Sequence, residues 1–242
     1  MRGMWIVFRR EINSYLTSPV YYLIAAGFLL LTGFIFNNDL VVSLTTKPAS
    51  PAVVPAFLSF ALVFLSPLIT MRALAEERRE GTMELLLTAP VRDSAIVIGK
   101  FLSAWLFYTI LLLLTLVYQV ILISITEPDL GHGLSAYIGI WLYGGATLAV
   151  GLLFSALTEN QIVAAFLSTA VLLLLYLGGL AGQIVGNLDL ARAIYTITLQ
   201  GHFTSSFAHG LIRFEDIVYY SGMIVIMVYI TIRIVESQRW RT

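Results

Sequence analysis

Six apolar stretches, each long enough to cross a lipid bilayer as a helix, limit what this chain can become. They run over roughly 19–37, 53–71, 97–125, 137–157, 162–186 and 216–235. A spanning helix needs about 20 predominantly apolar residues. Runs such as Ile110-Leu-Leu-Leu-Leu-Thr-Leu116 and Val171-Leu-Leu-Leu-Leu175 do not alternate polar with apolar residues, which excludes the pattern of a membrane β-barrel. Only 12% of the residues are charged and 59% are hydrophobic, whereas ordinary globular domains carry about 25% charged residues. The predicted class is an all-α polytopic membrane protein, one membrane domain over residues 1–242 without an internal linker. Net charge is zero, so nothing points to nucleic acid. Cysteine is absent, which removes disulfides, thiol chemistry and Cys-ligated metal.

Local signals mark the ends. Ser18-Pro19 places a capping hydroxyl before a proline at a first helical position. Asp93 or Ser94 can cap the third span, and Thr158-Glu-Asn-Gln161 is a capping-box pattern before the fifth. Pro67 is expected to kink the second span. Residues 1–8 are not read as a cleavable signal, because the apolar run after the basic stretch is too long. Met4, Trp5, Phe8, Ile12, Tyr15 and Leu16 recur at helical spacing before the first span. That predicts an amphipathic interfacial helix over 3–17. Residues 187–212 mix apolar residues with Gly201, His202, Thr204 and Ser205, and are read as short interfacial or re-entrant outer helices.

Lys and Arg set the expected orientation. With a cytoplasmic N-terminus, Arg2, Arg9, Arg10, Arg72, Arg78, Arg79, Arg92, Lys100, Arg233, Arg239 and Arg241 fall inside, and only Lys47, Arg192 and Arg213 fall outside. Six spans then return the C-terminus to the cytoplasm, and the expected location is the cytoplasmic membrane of a bacterium or archaeon.

The sizeable charged segment, Arg72 to Pro90, lies on the inner side. Residues 72–80 are predicted to continue the second span helically. Gly81 interrupts, Thr82 caps a short second helix carrying Met83, Leu85, Leu86 and Leu87, and Pro90 stops it. Such a helix suits a groove on a partner; equally, its leucines can simply rest on lipid.

Ala75-Glu-Glu-Arg-Arg-Glu-Gly-Thr-Met-Glu-Leu-Leu-Leu-Thr-Ala-Pro90, followed by Gly99-Lys100 at the opening of a long span, resembles the permease subunit of ABC-2-type transporters. The six-span plan, the N-terminal interfacial helix and Ser155-Ala-Leu-Thr-Glu-Asn-Gln161 share the likeness. Within that family the chain looks closest to the gliding-motility-associated permeases and their relatives in nitrous-oxide-reductase maturation. The resemblance implies two permease subunits, alike or different, and two cytoplasmic ATPase subunits that bind ATP and Mg. No cofactor is implied on this chain. It further implies a coupling element at Glu76, Glu77, Arg78, Gly81, Thr82, Glu84, Leu85 and Leu86, an outer gate at 187–212, and export driven by the partner's ATP hydrolysis. It implies no substrate residues.

Other features agree with an external motor. No Gly-x-x-x-x-Gly-Lys-Ser/Thr sequence is present to cradle ATP phosphates. Asp39, Glu127, Asp129, Glu159, Glu215 and Asp216 fall at span ends or in loops, which disfavours an ion relay. Tyr118 and Gln119 are the notable polar groups deep in the third span. Gly178, Gly182 and Gly186, four apart in the fifth span, permit close helix packing, within one subunit or between two. His132, His202 and His209 map to the outer side without convergent metal-ligand spacing, and are read as solvated or hydrogen-bonded loop residues. Two alternatives remain. One is a non-transporting subunit that passes force from an ATPase to a separate outer partner. The other is an intramembrane protease built on Glu76-Glu77, which requires histidines on the same side as those acids. An apolar interior with aromatic residues leans toward lipid-like or amphiphilic cargo.

Overall fold

The computed structural model of the protein describes residues 2–43, 48–82, 92–184 and 196–239. Its α-helices are α1 (Arg2–Thr17), α2 (Pro19–Ser43), α3 (Val53–Thr70), α4 (Ala75–Arg79), α5 (Asp93–Ile125), α6 (Leu130–Leu157), α7 (Gln161–Ile184), α8 (Leu199–Ser205) and α9 (Phe214–Arg239), with a 3-10 turn at Phe207–His209. Among the described residues there is no strand, and six segments are long and apolar enough to cross a membrane: five lie in α2, α5, α6, α7 and α9, and the second, Val53–Arg79, runs from α3 through α4.

Hydropathy locates these spans, and local hydrogen bonding sets their ends. Helix α6 begins at Leu130 rather than 137, because Asp129 accepts from the Gly131 and His132 N–H groups and caps a first turn too polar to read as membrane. Helix α2 runs to Ser43 rather than 37. Its Asp39 is buried and accepts from the Ser50 N–H at 3.0 Å, tying the helix end to the start of the next segment. Helix α3 runs through Pro67 to Thr70.

The most buried span, α6, is the hub, packed against α3, α5, α7 and α9. Lipid tails are as apolar as leucine, so helix association in a membrane relies on close packing and interhelical hydrogen bonds. Both occur here. A Cβ on Gly144 would sit 2.2 Å from Tyr108 Cε1, and one on Gly151 would sit 2.1 Å from Thr70 Oγ1. Tyr108 donates to the Ile140 carbonyl at 2.9 Å, and the Ser66 and Thr147 hydroxyls meet at 2.7 Å. Small residues in the fourth span thus do the close packing that is visible. Of the fifth-span glycines, Gly178 is half-buried on α7, Gly182 lies within the same helix, and Gly186 is outside the described residues.

Helix α1 lies along α5. Gly99 admits it: a Cβ there would stand 3.1 Å from both the Met4 carbonyl oxygen and Val7 Cγ1. The predicted apolar stripe divides. Tyr15 is buried and stacks on Phe107, whereas Trp5 and Leu16 stay exposed.

One expectation is corrected. Residues 72–80 extend the second span, which reaches Arg79, but not as one unbroken helix. Helix α3 stops at Thr70, and the chain turns through 71–74 before the short α4. The cause is Ser155 of α6. Its Oγ accepts from the Leu74 and Ala75 N–H groups at 3.0 and 3.1 Å and donates to the Met71 carbonyl at 3.1 Å, so the freed backbone groups find partners without a helix.

Candidate functional site

The charged segment meets the bundle at a closed ring of four side chains. Arg10 and Glu11 come from α1, Glu77 from α4 and Lys100 from α5. Lys100 Nζ lies 3.0 Å from Glu11 Oε1 and 3.0 Å from Glu77 Oε1. Arg10 Nη2 reaches the same two oxygens, 2.8 Å from Glu11 and in contact with Glu77. Cation and anion alternate around the ring, and the formal charges cancel. Lys100 is 2% exposed, whereas the Arg10 side chain is 55% exposed. One cation is therefore sealed inside and the other faces out.

An ammonium placed inside an apolar helix costs several kcal/mol in desolvation unless anions and hydrogen bonds meet it. The sequence meets it with two carboxylates carried by two other elements. Burial pushes the Glu11 carboxyl up, but Lys100 and Arg10 outweigh burial and hold it below its ordinary value of 4.5. Glu77 Oε2 is buried and has no hydrogen-bond partner among the described residues. Beside the ring opens a cavity of about 360 Å³, lined by Ser14, Tyr21, Arg72, Glu76, Glu80 and Thr82 with the ring residues and Ala73. Arg72 Nε donates to Glu76 Oε2 at 3.0 Å, one turn away.

The ring ties α4 to α1 and α5: Glu77 meets Lys100 of α5, itself 2% exposed, and Arg10 of α1. No group of three or more His, Asp or Glu arranged for a metal ion occurs among the described residues.

A family model described as ABC-2 family transporter protein matches residues 37–235, most of the chain. The chain belongs to the ABC-2 transporter family. It is also similar to the "Probable multidrug ABC transporter permease YbhS" of Escherichia coli (strain K12), 26% identical over 156 residues that make up 64% of this chain and 41% of the relative. The protein of the same name from Escherichia coli O157:H7 matches to the same extent. The matched region thus spans about two fifths of the length of these curated relatives.

Within this ABC-2 protein the expected coupling residues divide. Glu77 sits in the ring, Glu76 pairs with Arg72, and Arg78 is half-buried on α4. Gly81 has φ +71 and donates its N–H to the Arg78 carbonyl at 3.2 Å, ending α4 in a conformation that favours glycine. Thr82 Oγ1 donates back to the Glu77 carbonyl at 3.2 Å. Glu84, Leu85 and Leu86, with the predicted second helix, lie outside the described residues. Tyr118 and Gln119, the polar pair of the third span, are engaged with the Leu29 and Pro51 carbonyls.

Sequence reasoning assigned no side-chain partner to Lys100, Glu11 or Ser155. Lys100 was read as a basic residue at the inner end and as part of the family-like Gly99-Lys100 pair. Its position inside α5 was the available signal, because a lone ammonium in an apolar helix requires an anionic partner. Glu11, the lone acid in α1, was that partner. Ser155 entered only as the first residue of the family-like stretch to Gln161, and nothing local gives its hydroxyl a partner.

The histidines lie at the far end of α6 from this ring. From His132 to Ser155 the helix rises about 35 Å. His132 Nε2 donates to the Ala208 carbonyl at 2.7 Å, His202 joins Asp216 and the Thr196 carbonyl, and His209 is exposed.

Proposed function

We propose that this chain is the membrane half of an ATP-driven exporter whose motor is a separate chain. Membership of the ABC-2 family supports a transport permease subunit. In the proposal, cytoplasmic ABC ATPases bind ATP and Mg and hydrolyse the nucleotide, and this chain carries no nucleotide site of its own. A second permease subunit completes the pathway. Both termini face the cytoplasm in the cell membrane, and cargo moves outward. The similarity to a chain named as a multidrug permease favours an amphiphilic cargo. The kinship with gliding-motility and nitrous-oxide-reductase-maturation permeases belongs to the same proposal.

The observation that carries this reading is Lys100 touching Glu11 and Glu77 at once. The motor presses on residues 76–88; α4 moves; the buried ammonium hands the movement to α1 and α5. Glu76 and the histidines stand at opposite ends of α6, which favours the joint over a hydrolytic site. ATP must favour one arrangement of the joint by differential affinity for the cycle to turn.

The test is copurification from native membranes, followed by reconstitution. A roughly stoichiometric nucleotide-hydrolysing chain is expected, with hydrolysis stimulated by this subunit. Glu77→Lys reverses a charge in the ring, and Gly81→Val places a β-branched residue at positive φ. Both variants are expected to insert in the membrane and lose the stimulation. Unchanged coupling in both, or no hydrolysing partner at all, overturns the proposal.

A further inference from the structure

His202 of α8 stands between two acceptors. Its Nδ1 lies 2.6 Å from Asp216 Oδ1 on α9, and its Nε2 lies 3.0 Å from the Thr196 carbonyl oxygen. A backbone carbonyl only accepts, so Nε2 must carry a hydrogen. At 2.6 Å a hydrogen must also lie between Nδ1 and the carboxylate oxygen, since two lone pairs would repel there. A neutral imidazole has one N–H. The geometry therefore fits an imidazolium facing a carboxylate.

The surroundings make that charge state matter. Asp216 is buried, and among the described residues its Oδ2 has no hydrogen-bond partner, while its Oδ1 meets His202. The imidazole stacks on Tyr219 with ring centroids 3.9 Å apart and meets Tyr220 at its edge, 6.3 Å away. Both tyrosine hydroxyls are engaged, on the Ile197 and Leu199 carbonyls. Arg213 and Glu215, beside Asp216 in sequence, are exposed. From α6 the ionisable groups are Tyr143, which packs on Phe203 and Tyr220, Tyr137, which donates to the Thr115 carbonyl of α5, and His132, which serves the Ala208 carbonyl. Helices α3 and α7 contain no charged residue, and His209 on the 3-10 turn is exposed. Among the described residues, no other charged group is placed to substitute for the second proton on His202. His132 offers the contrast: it serves one acceptor, so a neutral ring suffices.

We propose that His202 and Asp216 form a proton-dependent latch that docks the 196–205 segment onto α9 and lets go when the imidazolium loses a proton. A neutral ring keeps either Thr196 or Asp216, not both. The release loosens the segment that the family resemblance assigns to the outer gate. The proposal rests on the exporter reading only for the compartment whose acidity the latch would sense.

The test uses the full chain in lipid nanodiscs, where both faces meet one pH and neither orientation nor transport enters. The chain has no cysteine, so Ser205→Cys supplies its sole thiol. Maleimide labelling is followed against pH and normalised to Leu211→Cys, an exposed position. Isotope-labelled histidine NMR on the unsubstituted chain reads the protonation of each ring nitrogen. Normalised labelling is expected to rise about fivefold with alkalinisation, the shift one lost hydrogen bond supports, at the same midpoint as deprotonation of His202. In Asp216→Asn the side-chain amide can donate to a bare Nδ1 while Nε2 keeps Thr196, so labelling is expected to stay low and flat. The latch is overturned if NMR finds a single ring hydrogen on His202 wherever the chain is folded, or if the Asp216→Asn chain shows the same pH step. The NMR arm decides alone should that variant fail to fold.

Discussion

At the α4 end of the bundle, three elements meet through side-chain charge: Arg10, Glu11, Glu77 and Lys100, beside an open cavity and with one carboxylate oxygen unused. At the α8 end, side chains mostly reach backbone. Tyr219 and Tyr220 hold the Ile197 and Leu199 carbonyls, and Ser135 and His132 hold those of Phe207 and Ala208. Backbone pins fix a chain path. An ion ring fixes only which charges stay together, so its members can shift as a set. The contrast fits the two proposals, a ring that shifts as a set at the first end and a segment released from a held position at the second.

Removing the sealed cation should have the largest effect. Lys100→Met leaves Glu11 and Glu77 without their buried partner, and breaking a buried pair costs about 3–5 kcal/mol. Thermal unfolding in nanodiscs should show the loss. Adding Glu11→Gln and Glu77→Gln should recover part of it, because no unpaired buried charge remains. A Lys100→Met chain as stable as the parent would mean the ring is not a structural joint. Ser155→Ala comes next. It strips the Leu74 and Ala75 N–H groups of their acceptor, at about 1–3 kcal/mol for each buried donor left unpaired. Hydrogen exchange should rise at those two amides, at the start of α4, ahead of α3. Uniform exchange across α3 and α4 would remove the serine clamp from the account.

How much of this was legible beforehand follows from the range of each interaction. Spans are a property of about 20 consecutive residues, so all six were readable. Their ends depend on single capping atoms such as the Asp129 carboxylate, and the estimates were off by several residues. The break after Thr70 was not readable, because the atom that permits it belongs to Ser155, on another helix. Glu77 was reached through the family resemblance of the charged run that holds it. The pairing of Lys100 with Glu11 was not readable because each looks ordinary alone, and only their meeting across α1 and α5 shows it.

At the opposite end, Tyr220→Phe should cost less. The Leu199 carbonyl loses its buried donor while the ring stays packed, about 1 kcal/mol. Its effect should be confined to α8 and the start of α9, with the ring at α4 unaltered. If Tyr220→Phe instead loosens α4 as much as α8, the two ends are not separate fastenings.

Acid supplies the smallest and most gradual effect, and it needs no substitution. Glu11 has its pKa held below 4.5 in the folded chain, through Lys100 and Arg10 acting against burial. A carboxyl whose folded pKa is depressed binds fewer protons folded than unfolded. Its contribution to stability is present above the unfolded value and is lost as pH falls through the folded one. Unfolding temperature should therefore be flat for this group near neutrality and decline on acidification below about 4.5. Glu11→Gln should flatten that decline and leave the neutral-pH behaviour of the His202 segment unchanged. An acid decline of equal size in Glu11→Gln would place the responsible carboxylate elsewhere and leave the ring's charge balance without this support.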